Sequence, residues 1–217
     1  MMKAVFEWVA VLTGDVVDSR KLGPLFSLES EWERAFAALT PFSPEGPVRW
    51  EVFRGDSFQA LILPEFAFRV ALFLRAWMRA QTFGHPTDVR IGMGLGSIDA
   101  GFARMAHGRG AAFERSGKAL DHLGKGRLAF DVGSEAPSLW FSQLGTAADA
   151  IVRKWDALDA QLWLGRWPHI HTQTSLAEQL GITQSAVSQR MLSAQFDGLE
   201  ALCALYPPML RCYLAIP

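Results

Sequence analysis

The feature that most constrains this chain is the run from Asp88 to Ile98, where Val89, Ile91, Met93 and Leu95 alternate with Arg90, Gly92, Gly94 and Gly96. A period of two is the mark of a β-strand, whose successive side chains point to opposite faces. One face is therefore apolar and the other nearly bare of side chains. A glycine face lets another backbone approach closely, whether it belongs to a ligand or to a helix. Any fold for this chain must account for what lies against that face.

The segments around it supply further strands and helices. Val5 to Thr13 ends in a continuously apolar run, as in a central strand buried on both faces. It stops at Gly14-Asp15-Val16-Val17-Asp18-Ser19-Arg20, and strand ends in α/β layers are where ligands meet a sheet. From Val48 to Leu63 two β-type runs flank Gly55-Asp56, a good two-residue hairpin loop because glycine takes the positive φ it needs. Asp56 then stands at the tip, either as a solvated turn residue or with its carboxylate aimed at a ligand. Leu28, Trp32, Ala35, Phe36 and Leu39 recur at helical spacing, and Thr40 to Pro47 is a loop. Pro64 opens a second helix reaching about Phe83, with apolar residues on both sides, which predicts burial all round. Phe113 to Leu123 reads as a helix and Arg127 to Val132 as a last strand. The order β-α-β-β-α-β-α-β predicts an α+β fold, an antiparallel sheet of the ferredoxin-like or palm kind with helices on one face. The turn-rich stretch Gly133 to Gln143 predicts a boundary between a sheet domain over 1–135 and an all-α domain over 144–217.

The C-terminal part carries a second pattern. Thr146 to Trp163 is helical, with Ile151, Trp155, Leu158 and Leu162 as its stripe. Thr174 to Arg190 has the spacing of a helix-turn-helix: Ala177 is small where helices cross, Gly181 permits the turn, Thr183 is an N-cap, and Ile182 and Val187 anchor the second helix. If it binds DNA, Gln184, Ser185, Ser188 and Gln189 are the base-edge readers and Arg190 a phosphate contact. Charge argues for modest affinity. From Thr146 to Pro217 five basic residues (Arg153, Lys154, Arg166, Arg190, Arg211) face six acids (Asp149, Asp156, Asp159, Glu178, Asp197, Glu200). A homodimer spanning two half-sites would recover affinity, and packing or dimerisation alone is the plain alternative use. Leu199 to Leu214 closes the core, with Pro207-Pro208 splitting its helix. His169 and His171 lack a third ligand at metal spacing.

The formal net charge of −1 offers no global field toward nucleic acid or membrane. Cys203 and Cys212 match no metal or disulfide framework, which predicts buried thiols in a reducing cytoplasm. The N-terminal run contains Glu7 and no cleavage site, so it does not read as a signal peptide, and no uncharged run reaches the ~18 residues of a membrane helix.

Three blocks of the first domain resemble the palm of class III nucleotidyl cyclases and, more distantly, of GGDEF-type diguanylate cyclases. They are Leu12-Thr13-Gly14-Asp15-Val16-Val17, Phe53-Arg54-Gly55-Asp56-Ser57-Phe58 and Arg90-Ile91-Gly92-Met93-Gly94-Leu95-Gly96. Over nearly the whole chain the sequence is also similar to the SatD-like family of bacterial proteins. That likeness rests on Thr13 to Arg20, Phe53 to Gln59, Ala112 to Asp121 and the helix-turn-helix. The palm resemblance implies Asp15, Asp56 and the main-chain carbonyl of Val16 as ligands for Mg²⁺ or Mn²⁺ bound with a nucleotide. Arg20, Arg54, Lys118 and Lys125 would then meet its phosphates. The cyclase pattern is not complete. Val52 stands where adenine readers carry a Lys, Asp121 where an Asn orients the ribose, and Lys125 where a transition-state Arg is found. These readings predict a cytosolic regulator that couples a nucleotide- or metal-binding palm to a DNA-binding helix-turn-helix. A metal-dependent nucleotidyl enzyme and a catalytically inactive scaffold are the alternatives.

Overall fold

A computed structural model describes residues 8–22, 27–39, 49–53, 55–81, 87–99, 104–167 and 171–215. Five strands form one sheet: β1 (Val9–Val16), β2 (Arg49–Phe53), β3 (Ser57–Ile62), β4 (Val89–Gly96) and β5 (Leu128–Asp131), in the order β2-β3-β1-β4-β5. The expected α+β architecture is present. Three of the pairings are antiparallel, but β4 and β5 run parallel, so the sheet is mixed. A helix, α3 (Ala111–Asp121), crosses between β4 and β5, and such a crossover returns the chain in the same direction.

The two faces are covered differently. Helices α1 (Leu28–Leu39) and α2 (Ala67–Ala80) pack on the face carrying Ala10, Leu12, Ile91, Met93 and Leu95. Helix α3 lies on the opposite face, against the glycines. A Cβ on Gly92 would stand 2.3 Å from the Leu120 nitrogen and the Ser116 oxygen, and one on Gly94 would stand 2.2 Å from the Ala112 oxygen. A helix backbone therefore uses the bare face, and helices cover both faces rather than one. Thr13 and Ser116 join hydroxyls across this contact at 2.8 Å.

The C-terminal helices are α4 (Glu135–Val152), α5 (Ala157–Arg166), α6 (Gln173–Leu180), α7 (Gln184–Ser193) and α8 (Phe196–Leu214). Most of the stretch read as a boundary is helical, because α4 begins at Glu135. Pro137 is its third residue, where the missing N–H costs nothing. Phe141 of α4 meets Phe130 of β5 at 5.7 Å, Gln161 of α5 donates to the Ala80 carbonyl, and the Tyr206 hydroxyl donates to the Pro64 carbonyl at 2.9 Å. One hydrophobic cluster thus runs from the sheet to α8. Helix α2 is sandwiched inside it, which is why Phe68, Leu72 and Ala76 are buried along with its sheet-facing side.

Three local expectations differ from the structure. The single helix read over Thr146 to Trp163 is broken after Val152, and Asp156 starts α5 through a capping box with Asp159. Trp155, in the break, is buried and donates its indole N–H to the Ala194 carbonyl at 2.9 Å. Helix α8 runs unbroken through Pro207 and Pro208. The Cys203 and Ala204 carbonyls receive no amide from those positions, and burial of Cys203, Tyr206 and Leu210 holds the helix across them. Cys212, expected to be buried, is exposed. No helix among the described residues is long and apolar enough to cross a membrane.

Candidate ligand-binding cleft

The register of the central strands builds the site. Asp15, near the end of β1, lies opposite Ser57 of β3 on one side and Arg90 of β4 on the other. All three belong to the face that α3 covers. Beyond the end of α3 that face opens into a cleft of about 880 Å³. Its lining includes Asp15, Val16, Asp18, Ser19, Arg20, Lys21, Asp56, Ser57, Arg90, Lys125, Arg127 and Arg153. A volume of this size accommodates a nucleotide-sized ligand.

The cleft wall is tied together by backbone bonds. The Val16 amide donates to the Asp56 carbonyl at 3.0 Å, and the Val17 amide to the Asp88 carbonyl at 2.8 Å. Gly55 takes φ +80° at the hairpin tip and Asp18 takes φ 56°, a left-handed conformation that Asp tolerates better than most residues. Ser19 and Ser57 donate their hydroxyls to the two oxygens of Asp56, at 2.9 and 3.1 Å.

Charge in the cleft is unbalanced. Three carboxylates (Asp15, Asp18, Asp56) face six cations (Arg20, Lys21, Arg90, Lys125, Arg127, Arg153). Arg90 is bidentate on Asp15, with Nε 2.8 Å from Oδ1 and Nη2 2.5 Å from Oδ2, and Lys21 pairs with Asp18 at 2.9 Å. Among the described residues no side chain pairs with Arg20 or Lys125. Arg127 donates to the carbonyls of Lys125 and Gly126, and Arg153 to the Lys125 carbonyl and the Asp149 carboxylate. Burial pulls the Arg127 guanidinium below its usual pKa; Asp88 opposes this and Arg153 adds to it. An arginine nonetheless stays protonated, so the cleft holds excess positive charge.

The divalent cation implied by the palm resemblance does not fit these side chains as they are arranged. Asp15 and Asp56 lie at adjacent strand ends, but both Asp15 oxygens are held by a guanidinium. Among the described residues, no group of three or more His, Cys, Asp or Glu side chains converges.

The other candidate residues are dispersed. Lys118 lines a separate cavity of about 590 Å³ with Arg115, His122, Asp131 and Glu135, so α3 directs it away from Asp15 and Asp56. Arg54 and His169 lie outside the described residues. Asp121 is exposed and outside the cleft lining, and Val52 packs against the hydrophobic core. Reading the sequence missed Arg90, Arg127 and Arg153. The alternation of β4 did place Arg90 on the glycine face. Nothing in local spacing connects Arg127 or Arg153 to Asp15.

In the C-terminal part, α6 ends at Gly181 in a left-handed conformation, and the Thr183 hydroxyl accepts the Ala186 amide at 3.2 Å to start α7. Leu176, Ala177 and Val187 are buried between the helices. Gln184, Ser185, Ser188 and Gln189 are exposed, with Gln184 donating to Gln173 at 2.6 Å. Arg190 is paired in this arrangement: its Nη1 lies 2.9 Å from Asp156 and 2.8 Å from Asp159 of α5. Leu192, 78% exposed, adds an apolar residue to the outer side of α7.

No family model matches the chain, and no curated protein matches it. Several solved structures are similar to it in fold. The guanylyl cyclase domain of the RhoGC fusion protein from the aquatic fungus Blastocladiella emersonii is 17% identical, with a TM-score of 0.40 over 54% of this chain and 75% of that one. The guanylate cyclase domain of RhGC from Catenaria anguillulae, in complex with GTP, is 18% identical with a TM-score of 0.40, over 54% of this chain and 74% of that one. The active GGEEF domain of a diguanylate cyclase from Vibrio cholerae is 16% identical with a TM-score of 0.40, over 59% and 85%.

Proposed function

We propose that the cleft at the ends of β1 and the β2–β3 hairpin binds a phosphorylated small molecule of nucleotide size. One observation carries this reading: six cations face three carboxylates around a cleft of about 880 Å³, and Arg20 and Lys125 have no side-chain partner among the described residues. Arginine and lysine grouped at a strand end offer charge-assisted hydrogen bonds that suit phosphate oxygens. The reading is one of binding rather than turnover. Asp121 is outside the cleft lining, and Lys125 offers a point charge in place of a planar fork. The test is thermal shift of the full chain with nucleoside mono-, di- and triphosphates, since a ligand that binds only the folded state raises the midpoint. A rise that grows with phosphate number and shrinks in Lys125→Gln and Arg127→Gln supports it. A flat response across the panel refutes it.

We also propose that the C-terminal helices bind DNA through α7, making the chain a ligand-responsive regulator. The capped turn between α6 and α7 and the exposed Gln184, Ser185, Ser188 and Gln189 support this reading. A homodimer would present two such helices to two half-sites. The measurement is binding of the chain to its own upstream DNA across a salt series; absent or salt-independent binding removes this reading.

A further inference from the structure

We infer that Arg90 holds the place of a divalent cation in this cleft, so that the phosphorylated ligand is bound without a metal. The inference rests on the ligand reading above and says which form of ligand the site takes: the free polyphosphate anion rather than its magnesium complex.

The geometry assigns this role in three steps. Asp15 carries one negative charge at the point where β1 enters the cleft, and the Arg90 guanidinium meets both of its oxygens. A divalent ion on Asp15 would have to displace that guanidinium or lie against a like charge. Asp56 is engaged as well, since each of its oxygens accepts one hydroxyl, from Ser19 and from Ser57. Second, Arg90 is not used up by Asp15. A guanidinium has five N–H donors, and two of them serve the pair, which leaves three. The side chain is 40% exposed and lines the cleft, so donors remain on the ligand side. Third, the pair fixes its position. β1 and β4 set Asp15 opposite Arg90 in the ladder, and an arginine stays protonated. A fixed, permanently charged group beside Arg20, Lys125, Arg127 and Arg153 supplies to phosphate oxygens the charge that a metal otherwise supplies.

The experiment is isothermal titration of the full chain with ATP, GTP and inorganic tripolyphosphate, each in EDTA and in excess Mg²⁺. The expected result is binding of at least one of them in EDTA, with a Kd no more than about threefold weaker than in Mg²⁺, which is less than 1 kcal/mol. Binding seen only with Mg²⁺ overturns the inference while leaving the phosphate reading standing. Binding in neither condition removes both. Arg90→Gln is expected to weaken binding in EDTA by about tenfold or more, the scale of one lost charge-assisted contact. Unchanged affinity in a folded Arg90→Gln protein overturns the inference.

Discussion

Arg75 of α2 and Asp88, the residue before β4, form a buried bidentate pair: Nε lies 3.0 Å from Oδ1 and Nη2 2.8 Å from Oδ2. Arg75 is fully buried. The same guanidinium reaches Asp149 of α4 at 2.8 Å, and Asp88 also receives Arg79 at 3.2 Å. The Asp88 carbonyl accepts the Val17 amide of the cleft wall, and Asp149 holds Arg153, which lines the cleft. The pair therefore joins the central helix, the cleft and the first C-terminal helix.

Removing Arg75 leaves Asp88 with Arg79 and Asp149 with Arg153. Arg75→Met leaves Asp88 and Asp149 buried without their shared cation, and breaking a buried pair in this way costs about 3–5 kcal/mol. Urea unfolding at pH 7 measures it. A loss under about 1 kcal/mol would show that water or a rearranged Arg79 replaces the interaction.

The same pair sets an acid limit. Desolvation alone would raise the Asp88 pKa, but Arg75, Arg79 and the Val89 amide outweigh it and hold the carboxylate below its ordinary value. Its folded pKa is therefore lower than its unfolded one of about 3.9. The stabilisation is complete above the unfolded value and is lost as pH falls through the folded one. Unfolding free energy should decline below about pH 4, and Asp88→Asn should lack that share of the decline while being less stable at neutral pH. An identical acid limb in both proteins would contradict the assignment.

Gly92 of β4 and Gly117 of α3 should respond to alanine with opposite signs. A Cβ on Gly92 meets helix backbone at 2.3 Å, so Gly92→Ala must push α3 off the sheet, at about 3 kcal/mol or more. Gly117 lies within α3 with nothing inside 4 Å of its added Cβ. Gly117→Ala should stabilise by about 0.5–1 kcal/mol through helix propensity and lower unfolded-state entropy. Thermal midpoints of the two variants check the contrast.

Arg190 bridges α7 to Asp156 and Asp159 of α5. All three groups keep some exposure, so Arg190→Ala should cost about 1 kcal/mol or less. If the chain binds DNA, the salt dependence of binding should be the same in this variant. A slope reduced by about one would identify Arg190 as a phosphate contact instead.

The elements of the sheet were legible because each has a local cause. Period-two alternation marked β4, Gly55 marked the hairpin, and the amphipathic spacing of Leu28 to Leu39 marked α1. The capped turn between α6 and α7 was legible for the same reason, since Gly181 and Thr183 act on their own neighbours. Turn-like composition misled at Glu135 to Gln143, where packing on β5 makes a helix from residues of mixed propensity. The two prolines of α8 misled similarly, because buried neighbours on both sides outweigh the lost amide bonds.

The sequence by itself determined where carboxylates stand at strand ends, Asp15 after an apolar run and Asp56 after a turn glycine. That depends on short-range sterics and periodicity, which a linear chain records. Tertiary structure alone decided what those carboxylates meet. Arg90 reaches Asp15 across 75 residues of chain through the β1–β4 register. Arg127 and Arg153 arrive from a strand lead-in and a helix end. Lys118, close to Lys125 in sequence, is carried to another cavity by the turn of a helix. Charge acts through space over a few ångströms, and distance along the chain does not report it. The cleft's cationic character is a property of the fold.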